Sequence, residues 1–99
     1  MDVFVTREGQ RFVWDSEKAA SNLVKHGVSF DRALEVLVDP FHRLEDAGVE
    51  DEGRLAAIGV DFLRRVLFVV HLEREIAVIR IVSARHATRV ERRRYEKSK

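Results

Sequence analysis

The residues of this chain best suited to chemistry are cations. Arg80 and Arg85 lie in the stretch IRIVSARHATRVERRRYEKSK (Ile79 to Lys99), where a run of strand formers ends at an arginine and leads into an arginine-crowded segment. A guanidinium carries five N–H donors in a planar fork, a geometry that grips phosphate. Simple strand alternation points Ile76, Val78, Arg80 and Val82 one way, and Ala77, Ile79, Ile81, Ser83 and Arg85 the other. Arg80 then sits among apolar neighbours and must meet an anion or reach solvent past them. An internal carboxylate or a bound phosphate would each satisfy it. Arg85 falls at a strand end beside a loop, where active groups often stand, or it is a solvated arginine. A second set recurs at helical spacing: Lys18, Asn22 and Lys25 at i, i+4 and i+7, with His26 four residues after Asn22. Two ammonium groups, an amide and an imidazole suit a phosphodiester, and they equally suit a wet helix face. His26, in the last turn before Gly27, also suits the negative end of a helix dipole. Trp14 and Tyr95 can stack on bases of single-stranded RNA or fill a core. Arg89 and Arg93 share one side of the last segment, and fit phosphate or an acidic protein partner.

Other chemistries find little support. His26, His42, His71 and His86 show no metal-ligand spacing, so no metal or cofactor is expected. No glycine-rich phosphate loop and no G-x-S-x-G elbow occurs. The chain has no cysteine, which removes disulfides and thiolate sites and fits a reducing, cytoplasmic setting. The N-terminus MDVFVTREGQ does not read as a signal peptide, and VLFVVHL is too short to span a bilayer, so no membrane partner is expected. Net charge is only +1, but it is unevenly spread. Asp39, Glu45, Asp46, Glu50, Asp51 and Glu52 face a single base, Arg43, between Asp39 and Gly53. Arg89, Arg92, Arg93, Arg94, Lys97 and Lys99 outweigh Glu91 and Glu96 at the C-terminal end. Such separation suggests two faces with different partners.

The elements that must position these groups are legible in outline. A chain of 99 residues with 45% apolar residues suits one domain, residues 1 to 99, with one core. RFVW (Arg11 to Trp14) reads as a short strand, and Asp15 as the N-cap of a first helix. Ala20, Leu23, Val24 and Gly27 fall on one face of that helix, which is expected to meet the core. Gly27 suits the left-handed position that ends it. Ser29 caps a second helix whose apolar face is Phe30, Ala33, Leu34 and Leu37, and Asp39-Pro40 stops it. The pattern allows a short strand near His42 to Ala47. RLAAIGV, RVLFVVHL and EIAVIRIVSA then read as three antiparallel strands, with turns at DFLR and ERE and the middle strand buried on both faces. Thr88 and Glu91 make a capping box for a last helix. The fold class is α+β: an antiparallel sheet of three to four strands, two N-terminal helices and a C-terminal helix.

Three segments carry a family resemblance. FVWDSEKAASNLVKHGVSFDRALEVLVDP is similar to the pattern F-x-W-D-x-x-K-x-x-x-N-x-x-K-H-G-V-x-F. RLAAIG is the second segment, and RVLFVVHLEREIAVIRIVSARHATRVERRRYE, with its R-I-x-S-A-R core, is the third. Together they cover most of residues 12 to 96, and the chain resembles the BrnT family, the toxin half of bacterial type II toxin–antitoxin pairs. The resemblance implies a RelE-like fold and a ribonuclease activity that blocks translation. It also implies a complex with a BrnA-type antitoxin, expected as a heterotetramer, whose DNA-binding module would link the toxin to DNA only indirectly. The pattern's polar and aromatic positions fall on Trp14, Asp15, Lys18, Asn22, Lys25, His26, Arg54, Arg80, Arg85 and Tyr95. About ten residues precede the first matched strand, leaving room for an extra strand or a tail. His71 stands where the family often has tyrosine.

On that reading RNA supplies its own nucleophile, the 2′-hydroxyl, and no metal is needed. Arg80 and Arg85 are expected to hold the scissile phosphate with Arg54 assisting, since preorganised cations aimed at developing charge are often the largest catalytic contribution. Acid–base help would come from His26, or from Lys25 if burial lowers its pKa. Trp14, Lys18, Arg89, Arg93 and Tyr95 are the expected RNA contacts. Two other classes fit the same charges: a nucleic-acid-binding module without chemistry, and a protein-interaction domain.

Overall fold

In the N-terminal segment, Glu8 (φ 53°) and Gly9 (φ 79°) close a two-residue turn between β1 (Asp2–Arg7) and β2 (Gln10–Asp15). Two positive-φ residues match the twist of the strands they join, so the segment before Arg11 is a strand and not a tail. The structure, a computed structural model, describes residues 1–47, 53–75 and 77–98. The expected acids Glu50, Asp51 and Glu52, together with Ile76 and Lys99, lie outside the described residues.

The helix ends follow the local sequence. Asp15 accepts the Lys18 N–H at 3.0 Å to start α1 (Ser16–His26). Gly27, at φ 69°, ends it and donates its N–H to Leu23 O at 2.9 Å. Ser29 accepts from the Arg32 N–H at 3.3 Å to start α2 (Phe30–Leu37). The strands β3 (Arg43–Asp46), β4 (Arg54–Val60), β5 (Val66–Glu75) and β6 (Val78–His86) follow. Thr88 and Glu91 then exchange the two bonds of a capping box, at 2.9 and 3.2 Å, ahead of α3 (Arg89–Ser98). No described helix is long and apolar enough to cross a membrane.

The α+β class stands, but the sheet is larger than expected and mixed. Six strands run in the order β1-β2-β6-β5-β4-β3. Four neighbouring pairs are antiparallel, while β2 and β6 are parallel. β2 is followed by both helices before the chain returns to the sheet, so it can lie beside β6 in the same direction. β5 also runs through the ERE segment that the sequence suggested as a turn; the reversal instead contains Ala77 at φ 65°.

One packing expectation is corrected and another holds in part. On α1 the stripe of Ala20, Leu23, Val24 and Gly27 faces solvent, with Leu23 50% and Val24 88% exposed. The helix lies beside β6, and its buried residue is Asn22. The amide of Asn22 stands in for a strand: it donates to Ala84 O at 2.8 Å and accepts the Ala84 N–H at 3.1 Å. A third bond reaches Val28 O at 2.9 Å. The expected burial of the middle strand β5 on both faces is met only in part: on the face away from the core Leu72 is 6% exposed. Leu67 and Val69 join Phe12, Trp14, Phe30, Ala33, Leu34, Ile81 and Ala84 in the core under α2, while Phe68 and Val70 on the other face stay half-buried.

Candidate nucleic-acid interface

The face of the sheet away from this core carries the arginines. Val70 pairs with Ser83 but His71 pairs with Ile81, so Val82 is an extra residue in β6. This β-bulge breaks the simple alternation. Ile79 and Ile81 before it, and Ala84 after it, face the core, so Arg80, Ser83 and Arg85 share the opposite face. The sequence pattern had separated Arg80 from Arg85; the bulge reunites them. Register extends the surface sideways, because Phe4, Val13, Arg80, Leu72 and Arg54 are successive cross-strand partners over five strands. Arg54 therefore stands on the same face as the other two arginines.

Neither β6 arginine waits alone for a phosphate. Arg80 makes two bonds to the Asp2 carboxylate, at 2.9 and 3.3 Å. Arg85 makes two to Glu91, at 2.8 and 2.9 Å, and its guanidinium carbon lies 4.1 Å from the centre of the Phe68 ring. Bonds from these guanidiniums hold the Asp2 and Glu91 carboxyls below the ordinary carboxylate range. Of the two partners open to Arg80, the folded chain supplies a carboxylate, and it supplies one to Arg85 as well. Each arginine side chain nevertheless keeps 38% of its exposure. The Asp2 carboxylate is 42% exposed and the Glu91 carboxylate only 12%, so water weakens the Arg80 pair more than the Arg85 pair. Among the described residues, Arg80 lines a hollow that Arg85 does not share.

Beside the bulge, α1 and β6 enclose a hollow of about 200 Å³ lined by Lys18, Ser21, Lys25, His26, Val82 and Ser83, with Asn22 at its inner wall. The helical spacing of Lys18, Asn22 and Lys25 thus does converge, and on β6 rather than on solvent alone. No carboxylate lines this hollow, and neither Lys18 nor Lys25 makes an ion pair among the described residues. Lys25 is exposed, so it lacks the burial that its role as a base required. His26 is exposed at the mouth, where it can reach a ligand.

The remaining expected contacts divide. Trp14 is 5% exposed and packs edge-on against Phe30 at 6.1 Å, and Tyr95 is 1% exposed with its hydroxyl donating to Asp39 Oδ2 at 2.7 Å. Neither ring can stack on a base, because each is already covered by protein. Burial and the Asp39 carboxylate together push the Tyr95 hydroxyl pKa up. Arg89 and Arg93 are exposed on α3 but border none of the hollows described on the sheet face. Arg94, which the sequence did not single out, ties α3 to β3 through two bonds to Glu45, at 2.6 and 2.9 Å. Other groups missed were Asp2, Phe4 and Arg11, which lie with Arg80 around a second hollow of about 300 Å³. The alternation in DVFVTR marked a strand but could not say what lay beside it. Ser83 sat in plain view in the R-I-x-S-A-R core.

A family model described as ribonuclease toxin, BrnT, of type II toxin–antitoxin system matches residues 14–91. The crystal structure of the Brucella abortus ribonuclease toxin, BrnT, is similar, with a TM-score of 0.60 and 23% sequence identity over 77% of this chain and 94% of that one. At that identity the likeness speaks for the fold. No curated protein matches the chain.

Proposed function

Because the chain belongs to the BrnT family of type II ribonuclease toxins, we propose that it cleaves RNA on the open face of its sheet, with the scissile phosphate seated in the hollow between α1 and β6. Lys18 and Lys25 hold the phosphate there, and Arg85, two residues past Ser83 on the same face, exchanges Glu91 for it. Arg80 and Arg54 extend the basic surface along the path of the chain. His26 takes the proton of the 2′-hydroxyl as its oxygen attacks the adjacent phosphorus. The P–O5′ bond breaks, and the leaving oxygen takes a proton from solvent water, giving a 2′,3′-cyclic phosphate and a 5′-hydroxyl. The RNA brings its own nucleophile, so no metal is required. Proton transfer of this kind contributes about 10²–10⁴ in rate, and each well-aimed donor to the transition-state charge about 10²–10³.

The observation that supports this reading is the acid-free cluster of Lys18, Lys25, His26 and Ser83 beside the arginine-bearing face. Family membership brings an antitoxin partner. The finer picture is a RelE-like toxin that blocks translation in the cytoplasm and is neutralised by a BrnA-type antitoxin in a heterotetramer. Purified protein incubated with RNA in chelator should shorten it, and His26→Ala and Lys25→Ala should each slow cleavage about 100-fold. Both residues are exposed, so the variants should stay folded. Undiminished cleavage by both would refute the site. A gel shift of intact RNA would instead make the chain a nucleic-acid-binding module without chemistry.

A further inference from the structure

The second hollow on the open face is built unlike the first. Its floor is apolar, with Val13 at 3% and Leu72 at 6% exposure, and Phe4 stands beside it on β1 with 62% of its surface in water. Its polar groups are Asp2, Arg11 and Arg80. Arg11 is exposed and makes no ion pair among the described residues. Asp2 is gripped by Arg80 through two bonds, which leaves about two of its roughly four lone-pair sites open. Most of these groups precede residue 14, where the match to the family model begins. The hollow is therefore a feature of this chain's N-terminal hairpin more than of the matched segment.

A flat ligand with apolar faces and a polar edge fits such a site, and a nucleobase has that form. Exposed aromatic rings commonly hold single-stranded nucleic acid by stacking. The edge chemistry narrows the choice. Guanine offers adjacent acceptors, O6 and N7, which a guanidinium binds as a pair, and adjacent N–H donors at N1 and N2, which suit a carboxylate. No other base of RNA presents both pairs. We infer that this hollow is a recognition subsite for an unpaired guanine of the RNA, with Phe4 stacking on the base, Arg11 donating to O6 and N7, and Asp2 accepting from N1 and N2. Arg80 serves as a positioning residue that fixes the Asp2 carboxylate. The inference rests on the reading that RNA occupies the open face. It places the guanine beside Arg80, three residues along β6 from Ser83 in the cationic hollow, a span of roughly 10 Å. A guanine bound there would select which phosphate is cut.

The test is binding of nucleoside 3′-monophosphates to the full chain, followed by calorimetry or by NMR shifts, and it needs no cleavage. Guanosine 3′-monophosphate should bind about ten-fold tighter than the adenosine compound. The inosine compound, which lacks only the N2 amine, should fall between them. Asp2→Ala should erase the difference between guanosine and inosine, an effect that loss of a merely structural ion pair would not produce. Phe4→Ala, at an exposed position, should weaken all three. Equal binding of the guanosine and adenosine compounds by the native protein would overturn the inference. So would a Phe4→Ala variant that binds nucleotides normally but no longer associates with the antitoxin, since the hollow would then hold a protein side chain. Failure of the cleavage reading shows separately, as RNA left intact by a protein that still distinguishes guanosine.

Discussion

Replacing Asn22 with alanine removes the side chain that completes the edge of β6. The residue is 6% exposed, and its amide makes three hydrogen bonds, to Val28 O at 2.9 Å, Ala84 O at 2.8 Å and from the Ala84 N–H at 3.1 Å. Alanine leaves one N–H and two carbonyls without these partners in a buried place. A net loss of about 1 kcal/mol per bond makes about 3 kcal/mol in all, a large part of the roughly 5–15 kcal/mol that holds a small domain folded. For a chain of this size, that loss lowers Tm by roughly 12–24 °C. Urea unfolding followed by the fluorescence of Trp14, which is 5% exposed in the core, measures it directly. Val24→Ala is the control, because Val24 lies on the same helix at 88% exposure and its change should stay within about 0.5 kcal/mol. Amide exchange at Ala84 should also become faster in Asn22→Ala. A loss below about 1 kcal/mol, with Ala84 still protected, would show that the amide does not act as a substitute strand.

Two further outcomes follow from the packing and from burial. At Gly59 an added Cβ would meet Asp39 Oδ2 at 3.0 Å and both His42 Cβ and Val36 Cγ1 at 3.1 Å, so Gly59→Ala should cost about 1–3 kcal/mol in a urea titration; an unchanged midpoint would mean that α2 shifts freely from β4. Burial pushes the pKa of His71 below its ordinary 6.5, and its Nδ1 has no hydrogen-bond partner among the described residues. Below that pH the unfolded chain takes up a proton that the folded chain resists, so stability should fall as pH drops from 6.5. Glu91, held below its ordinary 4.5 by Arg85, acts in a lower window: its contribution is complete above 4.5 and is lost as pH falls through its depressed value. His71→Leu should flatten the stability profile between these two pH values and leave the acid limb in place, and an unaltered slope would assign the upper window to another group.

Much of the chain's local architecture could be read before folding. Asp15, Ser29, the Thr88–Glu91 pair and Gly27 act on amides and carbonyls only three or four residues away, so their partners are set by chain spacing. The Lys18–Asn22–Lys25 spacing named one wall of the cationic hollow for the same reason. What could not be read were the long-range pairings. The side-chain stripe on α1 looked core-facing because apolar periodicity does not say which side a neighbour occupies, and here the neighbour is a strand edge that needs Asn22. Trp14 and Tyr95 have side chains fit for either stacking or filling, and the packing of α2 and α3 decided for filling.

The amino-acid sequence alone determined the helix ends, the α+β class, the kinship with a toxin family and the clustering of cations. The tertiary structure decided which cations share a surface and what each already holds. A single extra residue at Val82 reverses the phase of β6 and brings Arg85 to the side of Arg80, because side chains alternate with a period of two and one insertion inverts everything beyond it. Asp2 reaches Arg80 across 78 positions of chain, a contact that exists only once β1, β2 and β6 are laid side by side.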